Sequence, residues 1–243
     1  MFKGLAKLFK KGGSVKDEHI DIPSIPPLDT IAVEEGEAPK KVGANKKWQV
    51  VYNGKYRNHG QTHVITDGFG FSPKGEYSIA YLSAHYESWR PDAKNFNLRG
   101  SKALGKWKGE KYIDWRHPEN LTVMRKRIAM VKKKGYHAID WDNVDSGIYG
   151  YGLKKVNGKP YNLDYLRWLI KETHAAGLGC GLKNFVEALP YVHEHVEFAV
   201  SEASSKNEML VYKKYDIHGV HMGYGAKTYH LYRVRNGSSG NKY

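Results

Sequence analysis

One stretch constrains the chain more than any other: Gly135-Tyr136-His137-Ala138-Ile139-Asp140-Trp141-Asp142-Asn143-Val144-Asp145. A glycine ends a basic helical pattern, and the apolar residues after it read as a strand with acidic residues crowded at its end. On an extended strand Asp140 and Asp142 point to one side, Ile139 and Trp141 to the other. Asp142 lies nearer the tip and is better placed to meet a substrate. Asp140, deeper in the strand, is expected inside the fold and paired to a base. Asp145 reads as the cap of the turn before Gly147. Oxygen ligands spaced as Asp140-x-Asp142-x-x-Asp145 could also gather a hard cation. The spacing is not that of an EF-hand, and neither a metal nor a cofactor is expected.

Seven further stretches read as strands. They are Trp48–Tyr52, closed by the Asn53-Gly54 turn signal, His63–Asp67, Tyr77–Ala84, Lys111–Trp115, Leu178–Lys183, Phe198–Glu202 and Ile217–Tyr224. Helical spacing of Leu121, Met124, Ile128 and Val131 follows Pro118, a residue suited to a first helical turn. A second helix is expected over Asn162–Ala176, stopped by Gly177. Strand and helix alternate from Tyr112 onward, which predicts a parallel sheet. Eight strands in one domain predict an α/β protein with a small closed (β/α)8 TIM barrel over residues 48–224. An N-terminal segment over 1–47 and a basic tail over 225–243 flank it.

Composition narrows the partners. The 243 residues carry a net charge of +14, with 18 tyrosines and 6 tryptophans. Such a charge draws anionic partners, but it is spread along the chain with no nucleic-acid motif, so nucleic acid is not the expected partner. A single cysteine, Cys180, excludes an internal disulfide framework and a cysteine zinc cluster; within an apolar strand it reads as a small buried hydrophobe. His193-x-His195 resembles a metal pair, but its rings diverge at that spacing and a surface pair is expected. No apolar run is long enough for a membrane span, and no secretory signal is seen. Phe2, Leu5 and Phe9 share one helical face amid lysines, which suits a membrane surface or a larger protein assembly. The prolines that follow make the rest of residues 12–47 read as a tether. Extracellular or virion-associated placement fits such a segment; otherwise the protein stays cytoplasmic until released.

The strand tips carry the chemistry. In a closed barrel Asp67, Asp114, Asp142, Lys183 with Asn184, and Glu202 converge on one rim, where active sites of this fold gather. Two carboxylates flanking a scissile bond are the minimum for glycoside hydrolysis. Lys183 would temper their repulsion, and Asn184 could bond a sugar hydroxyl or acetamido group.

These residues also carry a resemblance. Trp48-Gln49, Asp67 with Phe69, Ala80–Ala84, Tyr86–Asp92, Leu104-Gly105, Trp107, Gly109-Glu110, Asp114 with Arg116, Asp142–Asp145 and Gly181–Asn184 follow one another as in glycoside hydrolase family 114, the endo-α-1,4-polygalactosaminidases. The resemblance implies a (β/α)8 barrel that cleaves inside a polysaccharide of α-1,4-linked galactosamine or N-acetylgalactosamine. It implies Asp142 and Glu202 as the catalytic acids, with Glu202 the general acid and Asp142 the base or nucleophile. Asp67, Asp114, Asn143, Lys183, Asn184, Trp89 and Tyr224 are expected to bind substrate. Ser201, Ala203-Ser204, His85 and Gly223-Tyr224 depart from the family pattern, mostly at strand tips where substrate would be read. A cationic polymer would be repelled by the net charge, so an acetylated or acidic glycan fits it better. A non-catalytic glycan-binding or structural protein that kept the barrel is the alternative.

Overall fold

The structure is a computed structural model, and it describes residues 39, 41–43, 46–52, 60–70, 77–105, 107–145, 155–156, 159–160, 163–203, 206–223, 227–230 and 241–242. The strands in chain order are β1 (Trp48–Val51), β2 (His63–Asp67), β3 (Tyr77–Ser83), β4 (Tyr86–Glu87), β5 (Lys102–Ala103), β6 (Glu110–Tyr112), β7 (Ala138–Asp142), β8 (Lys155–Val156), β9 (Lys159–Pro160), β10 (Gly179–Lys183), β11 (Phe198–Glu202), β12 (Gly219–Gly223), β13 (Lys227–His230) and β14 (Asn241–Lys242). Among the described residues four α-helices accompany them: α1 (Pro118–Lys133), α2 (Leu163–Ala175), α3 (Leu189–Val192) and α4 (Lys206–Lys214).

The main sheet runs β1-β2-β3-β7-β10-β11-β12-β13-β14, and its first seven members are parallel. It curls until β13 lies beside β1, making a nearly closed TIM-type barrel. The expected fourth barrel strand, Lys111–Trp115, is not in this sheet. Its first part is β6, the centre of a three-stranded antiparallel sheet β4-β6-β5. Both of its sides are occupied by short hairpin partners, so β3 pairs directly with β7. The eighth place is filled by β13, antiparallel to β12. Part of the expected C-terminal tail is thereby hydrogen-bonded into the barrel. The start of the barrel also reaches back beyond Trp48, since Val42 is buried and its N–H donates to Glu197 O at 2.8 Å.

Side-chain alternation sorts the residues. Trp48, Val50, Ile65, Ile79, Tyr81, Ala138, Phe198, Val200, Val220 and Met222 fill the interior. The opposite parity, including Leu82, Ile139, Trp141, Cys180 and Leu182, packs under the helices. Trp141 is fully buried there and its indole N–H donates to Thr173 Oγ1 at 3.1 Å, which satisfies the one polar atom that burial would otherwise strand. Helix α1 buries Val123, Met124, Ile128 and Val131 and gives way to Gly135 at φ +79°, a left-handed turn that glycine adopts without penalty. Asp140 and Asp142 therefore face the interior, with Asp142 at the rim.

Candidate active site

Three neighbouring strands, β7, β10 and β11, deliver Asp142, Lys183 and Glu202 to the same end of the barrel. Each is followed by a non-glycine residue in the left-handed region: Asn143 at φ 63°, Asn184 at φ 54° and Ala203 at φ 52°. The abrupt turn after each strand leaves the last side chain standing clear at the rim. Such strain costs about 1 kcal/mol per residue and is tolerated more readily by asparagine. Local bonds hold the turns. Asn143 N–H donates to Asp142 Oδ1 at 2.9 Å, and Asn143 Nδ2 to Ser83 Oγ at 3.2 Å. Glu202 N–H donates to Asn184 Oδ1 at 2.7 Å. The Asn184 amide oxygen thus positions the backbone of Glu202, while the residue itself lines the cleft.

Lys183 is the centre of the site. Its side chain is 1% exposed, and Nζ lies 2.9 Å from Glu202 Oε2 and 3.5 Å from Asp142 Oδ1. Nζ also donates to Tyr52 Oη at 3.2 Å and sits about 5 Å from the Tyr52 and Tyr81 rings. Burial works against its charge, yet Asp142, Asp140, Tyr52 and Glu202 outweigh that and hold the ammonium well above the ordinary lysine range. Tyr81 Oη donates to Asp142 Oδ2 at 2.6 Å. Burial and the neighbouring Asp142 push the Tyr81 phenol far up, so it stays a donor.

These residues line a cleft of about 300 Å³ together with Trp107, Glu110, Asn143, Asp145 and Asn184. Glu110 begins β6 of the small antiparallel sheet, and Trp107, 54% exposed, lies in the turn that leads into it. Burial, then Glu87 and Asp142, push the Glu110 carboxyl up to about 7. Burial and Asp142 push Asp145 up to about 6. Four carboxylates and one ammonium therefore line the cleft, which is acidic within a basic chain.

The other expected residues lie elsewhere. Asp67 ends β2 but is taken by Arg90, which donates to it at 2.9 and 2.7 Å while also bonding Glu87. Asp114 follows the small sheet and is held by Arg116 at 2.7 and 2.6 Å. Burial opposes its charge, but the Arg116 bonds outweigh burial and lower it. Both aspartates brace loops outside the cleft lining. Trp89 is 54% exposed beside Gly109 and does not line the cleft. Tyr224 and the turn at Gly147 lie outside the described residues. Asp140 is fully buried, but no hydrogen bond joins it to a base among the described residues. Two departures from the family pattern are not substrate-facing either. His85 is buried against Tyr112 and Tyr165, with Nδ1 accepting Ile113 N–H at 3.2 Å. Ser201 is buried and bonds His221 at 3.2 Å. His193 and His195 sit on a short turn, and His193 Nδ1 bonds Leu189 O at 3.0 Å.

Five lining residues escaped the sequence reading as site residues, among them Asp145, which was read as a turn cap. Tyr52 and Tyr81 share the parity of the interior residues of their strands, a signal available from alternation. Trp107 and Glu110 flank a glycine turn within the Trp107-x-Gly109-Glu110 run, where an exposed ring beside an acid was the clue.

The sequence matches the model of glycoside-hydrolase family GH114 over residues 30–233. The chain belongs to family GH114. It is a glycoside hydrolase by that membership, on a barrel shared with solved relatives. It is similar to Aspergillus fumigatus Ega3, whose crystal structure is a complex with galactosamine, at 25% identity and a TM-score of 0.69, covering 85% of this chain and 86% of that one. The glycoside hydrolase domain of PelA from Pseudomonas aeruginosa shares the fold at 15% identity and a TM-score of 0.56, covering 72% of this chain and 82% of that one. A search of curated proteins finds no match.

Proposed function

We propose that this GH114 protein is an endo-acting, retaining glycosidase that cleaves a polysaccharide of α-1,4-linked galactosamine, wholly or partly free of acetyl groups. One observation carries the reading: Asp142 and Glu202 both touch the Lys183 ammonium, at 3.5 and 2.9 Å. One ammonium within reach of both draws the two carboxyl groups together, which favours the roughly 5–5.5 Å spacing of a retaining pair. In the first step Asp142 attacks the anomeric carbon as the glycosidic C–O bond breaks, and Glu202 gives its proton to the leaving oxygen. In the second, Glu202 takes a proton from water, the hydroxide adds to the anomeric carbon, and Asp142 leaves.

The charge of the cleft supports an unacetylated amino sugar. Net charge alone favoured an acetylated or acidic glycan, but the field at the substrate is set by the lining, where Glu110, Asp142, Asp145 and Glu202 face one lysine. Galactosamine in the Ega3 complex agrees with that. Trp107 offers a face on which a sugar ring can stack. Residues 1–47 would tether the barrel to a membrane surface, a virion or another assembly; vesicle co-sedimentation of the full chain tests this.

The experiment is to incubate the protein with galactosaminoglycan and with its N-acetylated form, follow reducing ends, and read the anomer of the first product by NMR. Cleavage by the parent with retention, lost in both Asp142→Asn and Glu202→Gln, is the expected result. Binding without cleavage would instead establish a glycan-binding protein.

A further inference from the structure

Among the described residues, Asp140 is a fully buried carboxylate inside the barrel that the reaction scheme leaves unused. It lies two residues below Asp142 on β7, level with Tyr81 of β3 and Gly181 of β10. It is 0% exposed, and neither oxygen has a hydrogen-bond partner among the described residues. A buried, unbonded carboxylate is costly, by several kcal/mol when ionised. Hydrophobic residues fill the adjoining layers, and a Cβ on Gly181 would run into the Phe198 ring, so close packing here would accept an apolar side chain of similar size. The groups whose charge it feels are Lys183 and the Cys180 thiol on β10, Asp142 on its own strand, Glu202 on β11, Tyr52 after β1 and Tyr212 on α4.

Glu202 must carry a proton to act as an acid, yet in the structure it holds the buried Lys183 ammonium at 2.9 Å. Asp142, at 3.5 Å, is the other close counter-charge, and its charge is spent when it bonds the anomeric carbon, so the lysine needs a further one if it is to let Glu202 go. We propose that Asp140 is a positioning residue of the hydrolytic site: from inside the barrel it gives Lys183 a counter-charge beyond Asp142 and Glu202, so the lysine can release Glu202 when Glu202 takes up the proton it must deliver. The role rests on the hydrolytic reading above and acts through Lys183, not through substrate. Burial, only partly offset by Lys183, pushes the Asp140 carboxyl up to about 7. Asp140 is therefore neutral on the acidic side of the rate profile and charged on the basic side. Its charge supports the Glu202 proton where that proton is being lost.

The test is the pH profile of kcat/KM for the parent and for Asp140→Asn, each first shown folded by circular dichroism. The expected result is a falling limb displaced to lower pH by up to about one unit, with the rising limb unmoved. A uniform drop at every pH, or superimposable profiles, would overturn the proposal. Should Asp140→Asn fail to fold, aspartate 13C-carboxyl NMR of the parent decides. A resonance titrating between roughly pH 6 and 8, whose midpoint moves in Glu202→Gln, supports the role, and its absence overturns it. The NMR measurement needs no turnover, so it stands even if the parent proves not to cleave the polymer.

Discussion

Lys183 on β10 reaches Glu202 on β11 in a 2.9 Å ion pair while its own side chain is almost sealed from solvent. Removing the ammonium leaves Asp142 and Glu202 facing each other with no cation between them. Lys183→Met should lower kcat by about 10²-fold. Loss of a positive neighbour favours protonation, so both limbs of the pH profile should move up by roughly 1–2 units. The profile of initial rates checks the direction, and limbs that stay in place would show that the lysine is a packing residue.

Trp107 is a large ring left in the open at the cleft. Trp107→Ala should raise KM by roughly 3- to 10-fold on the polymer, as expected for about 1 kcal/mol of stacking. The melting temperature and kcat should change little, because the ring is not part of the core. Steady-state kinetics and thermal melts separate the two.

The left-handed residues behind the catalytic tips can be tested against one another. Ala203→Gly should stabilise the protein by about 0.5–1 kcal/mol, since alanine gains nothing from that conformation. Asn184→Gly relieves the same strain but loses the bond to Glu202 N–H. It should therefore lower kcat, by roughly 10-fold, without a matching loss of stability. Urea unfolding alongside kinetics reads both.

His85 gives a pH dependence of stability. Burial lowers its folded pKa to about 3 from an ordinary value of 6.5. The unfolded chain therefore binds the proton first, and stability falls as pH drops from about 6.5 toward 3. His85→Gln, a neutral side chain that can still accept the Ile113 N–H, should flatten that part of the curve. Denaturation midpoints between pH 7 and 4 provide the check.

How far the sequence revealed all this depended on whether the governing interactions were local. The period-two placement of Asp140, Asp142, Lys183 and Glu202 on their strands was legible, because strand parity is set by covalent geometry. The helices ending at Gly135 and Gly177 were legible for the same reason. Lys111–Trp115 misled because a short apolar run looks alike in a barrel and in a hairpin; only its partners β4 and β5 decide. The ion pairs of Asp67 and Asp114 were not legible because the arginines that hold them, Arg90 and Arg116, announce nothing about direction in one dimension. The acidity of the cleft was hidden by a net charge that averages over the whole surface.

The last turn of the barrel wall has its own consequence. Where an eighth parallel strand would sit, the hydroxyl of Tyr52, just after β1, reaches across to Met222 Sδ on β12 at 3.5 Å while accepting from Lys183 at 3.2 Å. One phenol thus ties the end of β1 to β12 and steadies the buried cation. Any breathing of that junction is transmitted to the reacting carboxylates, so the temperature at which the wall loosens and the temperature at which turnover fades should be one and the same.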